Sequence, residues 1–440
     1  MFGHVKKKQY LCSPDNNQKE RIMKRIIFLV SCIALLCACS GELAPGEKPM
    51  PDAGIIAPDG GEGEYYGLDD VPGGDSGEGG VNEQGQAGVV TAGEWRDLDN
   101  WLFWSDLMTK QFGTEGDSVF ADYTTFSSYW GFFTNNRVAV RVTNADNTPQ
   151  RDVPVQLVYL QNSSARVLYE ARTDNRGEVS LWIGLTQQQQ SIDEANLALV
   201  VDGTQQQPVV VTRWGEEVQW NALTAEKTPT ADIDIAFIVD ATGSMGDEIS
   251  FLKADLINII SSVYTKHPQA QIRTAAVFYR DEDGDEYVTR ESDFSSDLQI
   301  TNSFIQLQTA DGGGDYPEAV HIALEAGLQK LSWREDNCIR LAFMLLDAPP
   351  HKEDAVIARL QKVVPQYAKK GIRIIPVAAS GVDKPTEFFL RFIAIATDGT
   401  YVFLTNDSGV GNSHMVPTVG EYKVELLNKL IERLVDQYLQ

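Results

Sequence analysis

The chain has 440 residues, more than one ordinary domain needs, and its length predicts two or three domains. Its hydrophobic fraction of 43% is typical of globular proteins and can supply a large core. The formal net charge of −25 argues against a surface that binds nucleic acid by neutralising phosphates. The same charge would be repelled by an anionic membrane surface, so any contact with a membrane needs another basis.

The N-terminus has the pattern of an export signal. A basic pair, Lys24 and Arg25, precedes an apolar run over residues 26–36 that is too short to span a bilayer. We therefore predict a signal peptide over residues 1–38. Because the first 22 residues are polar and precede Met23, translation from Met23 is an alternative start.

The end of the predicted signal carries a second pattern, Leu36-Cys37-Ala38-Cys39. It resembles a bacterial lipobox, and the resemblance implies that Cys39 is lipidated and becomes the mature N-terminus. Several acyl chains would then anchor the protein in the cell envelope, at the outer membrane, on its periplasmic or exterior face. An ordinary cleaved signal with incidental cysteines is the alternative.

Residues 39–93 are predicted to be a disordered acidic linker. Gly, Pro, Asp and Glu dominate this stretch, and such a composition cannot bury enough apolar surface to offset the entropy of ordering. A flexible chain of roughly 50 residues has an r.m.s. reach of about 40 Å. The linker would hold the folded part clear of the membrane.

Residues 94–222 are predicted to form a small β-sandwich. Apolar residues alternate at strand spacing over 138–142, 153–159 and 179–183, and further strands are expected over 197–201 and 209–212. The turn Thr173-Asp174-Asn175-Arg176-Gly177 resembles one that recurs in immunoglobulin-like sandwiches. Aromatic residues crowd the start of the region, where filling of the sandwich core is favoured over a carbohydrate platform. The polar stretch 221–230 is predicted to be a linker.

Residues 232–440 are predicted to form a doubly wound, mostly parallel α/β sheet. The run 233–239 is apolar except for Asp234, and such a near-continuous apolar run is typical of a strand buried on both faces. Helical and strand patterns then alternate to the C-terminus, with an antiparallel edge strand predicted near 287–289 after a turn at Asp283-Gly284. In such sheets ligands bind beyond the carboxyl ends of the strands, so the residues at those ends are the candidates for function.

Oxygen-bearing side chains stand at two of those strand ends. The first strand leads into Asp240-Ala241-Thr242-Gly243-Ser244, where one carboxylate and two hydroxyls can converge, and Asp347 ends the strand predicted over 341–346. A third candidate, Asp315, lies in a glycine-rich loop before Pro317-Glu318. Magnesium prefers oxygen ligands, so the sequence predicts a Mg²⁺ site, with Mn²⁺ and Ca²⁺ as alternatives.

These elements resemble the von Willebrand factor type A (VWA) family and its metal-ion-dependent adhesion site. The resemblance covers about residue 232 to the C-terminus and implies that Thr242 and Ser244 bind the metal directly, while Asp240 and Asp347 act largely through water. It departs at the middle element, where the family usually has Thr and this chain has Asp315. Thr309 is a less favoured candidate for that position, and helix capping by Thr242 or Ser244 is the alternative to a metal.

The resemblance implies a binding protein rather than an enzyme. Its metal would engage a protein partner through an acidic side chain, in adhesion or complex assembly, and the membrane would be contacted through the lipid anchor only. A purely structural metal in an envelope-assembly protein is the second hypothesis. A metal-dependent hydrolase using Ser244, His351 and Asp347 is the third, although the Gly-x-Ser-x-Gly elbow is missing.

Overall fold

The computed structural model describes residues 86–109, 123–161, 164–186, 192–227, 232–282, 285–411 and 413–440. The predicted signal peptide, the lipidation site Cys39, most of the acidic linker and the turn at Asp283-Gly284 lie outside these ranges. The described residues belong to one compact unit. Within the described ranges, no helix combines the length and the apolar character needed to cross a bilayer.

The first strand, β1 (Thr91–Trp95), belongs to the C-terminal sheet and not to a linker. It pairs antiparallel with residues 401–404 on one side and with residues 425–426 on the other. Val90 and Ala92 are buried in the core on one face of that sheet. The boundary predicted at residue 93 is therefore wrong, because this short apolar segment fills a place in a sheet beside two strands that lie more than 300 residues later in the chain.

Two helices, α1 (Trp101–Thr109) and α2 (Tyr123–Trp130), stand where the predicted sandwich begins. Trp101 packs on Trp182 of the following strands, but other aromatic side chains of these helices pack on the helix over 384–396. The ring of Trp104 stacks on Phe388 at a centroid distance of 5.7 Å, and the indole of Trp130 donates a hydrogen bond to the Pro385 carbonyl at 3.0 Å. The reason is that the later helix is buried from residue 386 to residue 396, so other elements have to cover the face that does not contact the sheet.

The strands that follow form two four-stranded sheets. The strands are β2 (Asn136–Thr143), β3 (Pro154–Gln161), β4 (Ser164–Arg172), β5 (Glu178–Trp182), β6 (Leu197–Val201), β7 (Thr204–Gln206), β8 (Thr212–Arg213) and β9 (Trp220–Thr224). Among the described residues the two sheets have the strand orders β5-β2-β8, with β9 beside β2, and β4-β3-β6-β7. Their alternating apolar side chains belong to one continuous core, and the immunoglobulin-like order stays a prediction.

Two features of these sheets differ from the prediction. β4 was not predicted, because its first residues face solvent and break the alternating pattern. β9 lies partly in the stretch predicted as a linker from residue 221 and crosses the predicted boundary at 222. It pairs in parallel with β2, and its polar Asn221 is buried because its side-chain amide bonds to the Ala139 and Val210 carbonyls.

The C-terminal part is a mixed α/β domain with a mostly parallel sheet, as predicted. The elements are β10 (Ile233–Asp240), α3 (Gly246–Lys266), β11 (Ile272–Tyr279), β12 (Thr289–Ser295), α4 (Leu298–Gln306), α5 (Val320–Gln329), β13 (Ile339–Leu346), α6 (Asp354–Lys370), β14 (Ile372–Ala378), α7 (Lys384–Ala396), β15 (Tyr401–Leu404), β16 (Glu425–Leu426) and α8 (Leu427–Leu439). The sheet order is β12-β11-β10-β13-β14-β15-β1-β16, in which β11, β10, β13, β14 and β15 run parallel.

The central strand β10 shows why helices cover both faces. All eight of its residues are buried. Ala236 and Ile238 point to a core shared with α5, α6 and α7, whereas Phe237 and Val239 point to a core shared with α3 and α8. Because successive side chains of a strand face opposite sides, a continuous apolar run needs both layers.

Buried ion pairs join the N-terminal part to the C-terminal domain. The guanidinium of Arg391 on α7 donates to both carboxylate oxygens of Asp97, at 2.9 and 2.5 Å, and both side chains are almost fully buried. The buried guanidinium of Arg340 on β13 donates to Asp152 Oδ1 at 2.9 Å, and Asp152 also pairs with Arg172 of the N-terminal part. Both pairs join the two parts of the chain, so the two parts are expected to unfold together.

We predict that Asp97→Asn destabilises the protein by about 3–5 kcal/mol, because the buried Arg391 loses its closest counter-charge and keeps only the more distant Glu387, at 3.8 Å. The measurement is the free energy of unfolding in urea. Glu286→Gln is the matched control, since the Glu286–Arg290 pair is largely exposed and should contribute less than about 1 kcal/mol. Equal effects of the two substitutions would show that burial of the Asp97 pair is unimportant.

Candidate metal centre

The turn after β10 brings three side-chain oxygens together. The Asp240 carboxylate is fully buried, and its Oδ1 accepts hydrogen bonds from the Thr242 amide at 2.9 Å and the Thr242 hydroxyl at 2.7 Å. The Thr242 and Ser244 hydroxyls are 3.1 Å apart. The residues that cap the following turn and helix, Thr242 and Met245, make no side-chain capping bond. The hydroxyls of Thr242 and Ser244 therefore do not cap the helix, which was the alternative to binding a metal.

Asp347 lies beside this turn because β13 and β10 are parallel neighbours. The two strands pair in register from Ile233 to Val239, so their carboxyl ends meet at the same edge of the sheet. Asp347 is buried, and its Oδ1 has no hydrogen-bond partner. Oδ2 of Asp240 is buried and unpartnered in the same way. Two adjacent carboxylates thus each offer a free oxygen that is shielded from water.

The glycine-rich loop packs directly on the turn. The Gly243 amide donates to the Gly312 carbonyl at 3.0 Å. Gly313 has a φ of +74°, and a Cβ there would come within 3.2 Å of the Thr242 Cβ and 2.9 Å of Glu318 Oε1. This position therefore requires glycine, both for its backbone conformation and for the close approach.

Asp315 is exposed at the end of this loop. It lines a cleft of about 410 Å³ together with Ser244, Asp347 and the backbone of the glycine loop. One of its carboxylate oxygens also lies near ligand atoms of Asp281 and His351. The structure thus brings all five predicted metal residues to one edge of the sheet, with Asp240 and Thr242 beneath the cleft and Asp315 on its rim. Thr309 contributes its backbone carbonyl to Arg280.

Glu318 is a buried carboxyl in the same region that the sequence did not reveal. Its amide donates to the Pro349 carbonyl at 2.9 Å, which ties the glycine loop to the loop after β13. Its Oε2 is buried without a partner. Burial, followed by the charges of Asp240 and Asp281, raises the pKa of Glu318 to about 9. In the sequence, Pro317-Glu318 indicated only a helix start, and the acidic loop gave no sign that this side chain turns inward.

The electrostatics of the site favour a bound cation. Burial is the main cause that raises the pKa of Asp240 and of Asp347, and for Asp347 the neighbouring Asp240 charge adds to it. The nearby guanidinium of Arg280 donates to the Ala241 and Thr309 carbonyls at 3.1 and 2.9 Å, not to these carboxylates. Free carboxylate oxygens and hydroxyls are the ligand set of Mg²⁺, so the residues fit a divalent ion.

The side chains of the hydrolase hypothesis are arranged differently. His351 Nε2 is 2.7 Å from Asp281 Oδ1, whereas the Ser244 hydroxyl faces Thr242. His321 on α5 is fully buried, and its Nε2 lies 3.0 Å from Glu282 Oε1. The described contacts therefore place Ser244 among the predicted metal residues and both histidines beside the acidic loop after β11.

Comparison with known proteins identifies the C-terminal domain. The family model described as von Willebrand factor A domain matches residues 234–389. The chain therefore contains a VWA domain, as the motifs had indicated. It is 30% identical over 119 residues to an alpha-protein kinase of Dictyostelium discoideum, which is 27% of this chain and 19% of that protein. It is 35% identical over 121 residues to an ariadne-like RING finger protein of Acanthamoeba polyphaga mimivirus, which is 28% of this chain and 11% of that protein.

Solved structures were also matched. The protein BatB from Bacteroides thetaiotaomicron is 12% identical with a TM-score of 0.34, over 47% of this chain and 98% of that chain. The pilus adhesin SpaC from Lactobacillus rhamnosus GG, in its open conformation, is 9% identical with a TM-score of 0.34, over 49% of this chain and 30% of that chain. The chain thus spans less than a fifth of the two curated relatives and under a third of the adhesin.

We predict that Mg²⁺ stabilises the protein more at about pH 8 than at about pH 5. The raised pKa values of Asp240 and Asp347 mean that the fold holds protons there at a pH where the unfolded chain has lost them. Without metal, this pair's contribution to stability falls as the pH rises from the ordinary carboxyl range toward neutrality, and a bound ion offsets the loss. The measurement is the rise in Tm caused by millimolar Mg²⁺. Asp240→Asn should remove the rise, and a rise of equal size at both pH values would contradict the site.

Proposed function

We propose that this chain is a lipid-anchored protein of the bacterial cell envelope that binds a protein partner through a divalent ion. Asp240, Thr242, Ser244 and Asp347 would hold the ion, with Mg²⁺ as the preferred metal. The observation that carries the proposal is the pair of buried, unpartnered carboxylate oxygens of Asp240 and Asp347 beneath an open cleft. A VWA domain is consistent with a protein-interaction role.

The cleft above the site supports binding of an external group. Ser244 is exposed within it, whereas Thr242 below is fully buried, so one side of the ligand set faces solvent. A hard divalent ion prefers oxygen donors and commonly retains exchangeable waters. An acidic side chain of a partner protein could replace such a water. The ion would supply the positive charge that this carboxylate-rich site otherwise lacks.

A structural role for the metal is the second candidate, and the loop contacts favour it. The three loops of the site are already joined by the Gly243–Gly312 and Glu318–Pro349 hydrogen bonds. The negative charge of Asp315 on the rim would also weaken the attraction of the ion for an acidic partner. In this case the ion would hold loops together, and a partner would bind elsewhere, for instance on the strands that precede residue 225.

We predict that partner capture from an envelope extract requires Mg²⁺ and falls at least about tenfold in Ser244→Ala, because even outer-shell changes at metal sites cost about 10–100-fold in affinity. The measurement is a pull-down by the full chain in Mg²⁺ against EDTA. Asp311→Asn is the matched control, since this aspartate lies in the same loop but its side chain is 81% exposed. If Ser244→Ala abolishes the Mg²⁺-induced rise in Tm but captures the same partners, the metal is structural.

The lipid anchor is tested separately. We predict that Cys39→Ser moves the protein from the detergent phase to the aqueous phase in Triton X-114 partitioning of cells that express it, because the acyl chains are its only membrane contact. Cys37→Ser, two residues earlier in the same segment, is the matched control and should stay in the detergent phase. An aqueous wild-type protein would contradict lipidation.

A further inference from the structure

A second group of metal-ligating side chains lies at the same edge of the sheet. Asp281 follows β11, His351 lies in the loop after β13, and Asp315 ends the glycine-rich loop. One ligand atom from each of the three lies within 4.8 Å of the others. We propose that Asp281, Asp315 and His351 bind a second divalent cation, of the transition-metal class to which Zn²⁺ belongs, separate from the ion at Asp240 and Ser244.

The loops that carry these ligands are fastened to one another. Asp285 accepts a hydrogen bond from the Asp281 amide at 3.0 Å and another from the Gly313 amide at 3.1 Å. Gly312 has a φ of +75°, and a Cβ there would lie 1.7 Å from Asp285 Oδ1. Asp285 therefore holds the acidic loop against the glycine-rich loop. The result places the side chains of Asp281 and Asp315 on the same side, facing His351.

The ligand types distinguish this site from the first. One imidazole nitrogen and two carboxylate oxygens suit Zn²⁺ and related ions, whereas Mg²⁺ favours oxygen alone. Asp281 is buried, His351 is partly exposed and Asp315 is exposed, so an ion can enter from solvent. Three protein ligands leave further coordination positions for water or an external group, as in catalytic and exchangeable zinc sites.

A buried carboxyl that lines the same cleft as Asp315 is the second observation that indicates a cation. Glu318 is 2% exposed, and its Oε2 has no hydrogen-bond partner. Burial is the main cause that raises the pKa of Glu318, and charges from both groups of acids, Asp240 and Asp281 foremost, add to it.

Charge balance leads to the same conclusion. Asp240, Asp281 and Asp347 are buried carboxyls besides Glu318, and one divalent ion offsets only two of their three charges. Burial of unpaired charge is costly, so the site either keeps protons or binds a second cation.

The second site accounts for the departure at the middle element of the adhesion motif. The family to which the motif is similar usually has Thr there, and this chain has Asp315. A carboxylate at that position would repel an acidic partner of the first ion. As a ligand of the second ion its charge is neutralised, and the cleft presents two cations instead of one cation beside a negative rim.

Cobalt is the probe for this site, because Co²⁺ replaces Zn²⁺ and its visible absorption reports its ligands. The full chain in millimolar Mg²⁺ is titrated with Co²⁺, and bound metal is counted by equilibrium dialysis. We expect one Co²⁺ per chain in the wild type. His351→Ala and Asp315→Asn should each weaken Co²⁺ binding at least about tenfold, by comparison with losses of about 10–100-fold for outer-shell changes. His351→Ala should retain the Mg²⁺-induced rise in Tm.

Two controls separate this site from the first. Ser244→Ala should lose the Mg²⁺-induced rise in Tm but keep Co²⁺, and Asp311→Asn should keep both. The proposal is overturned if the wild type binds no more Co²⁺ than His351→Ala, or if Ser244→Ala loses Co²⁺ to the same extent as His351→Ala. No partner protein is used, so failure of the proposed adhesion function would not affect the result.

Discussion

The main constraint on the C-terminal domain is that several carboxyl groups are buried close together. At the carboxyl edge of the parallel sheet, the carboxyls of Asp240, Glu318 and Asp347 are buried, and each has an oxygen without a partner. In a low-dielectric interior such groups either keep protons or bind cations. The strand ends, the glycine loop and the loop after β13 all converge on this one place, so the fold concentrates negative charge where a metal can bind.

The remaining architecture holds that edge in place. β1 runs antiparallel to β15, so its first residues lie at the same edge of the sheet as the candidate metal centre. The aromatic side chains of α1 and α2 cover α7, and the buried pairs of Asp97 with Arg391 and of Asp152 with Arg340 fix the N-terminal part to the sheet. A site that must keep carboxylates close together against their repulsion depends on such a rigid support.

The sequence was informative wherever a local pattern carried the signal. The apolar run of β10 predicted a doubly covered parallel strand, and the turn that follows it predicted the ligands from Asp240 to Ser244. Long-range features could not be predicted in this way. β1 has too few apolar residues to identify its distant partners, and nothing local indicates that Glu318 is buried. The packing of Trp104 on Phe388 likewise depends on the whole fold.

The most direct test of the account is a crystal structure of the protein grown in Mn²⁺, with anomalous difference density measured at the manganese edge. The account predicts a peak in contact with the side chains of Thr242 and Ser244, close to Asp240 and Asp347. Density for water alone among these residues, in crystals that contain excess Mn²⁺ near neutral pH, would contradict the claim that this carboxylate cluster is a metal centre.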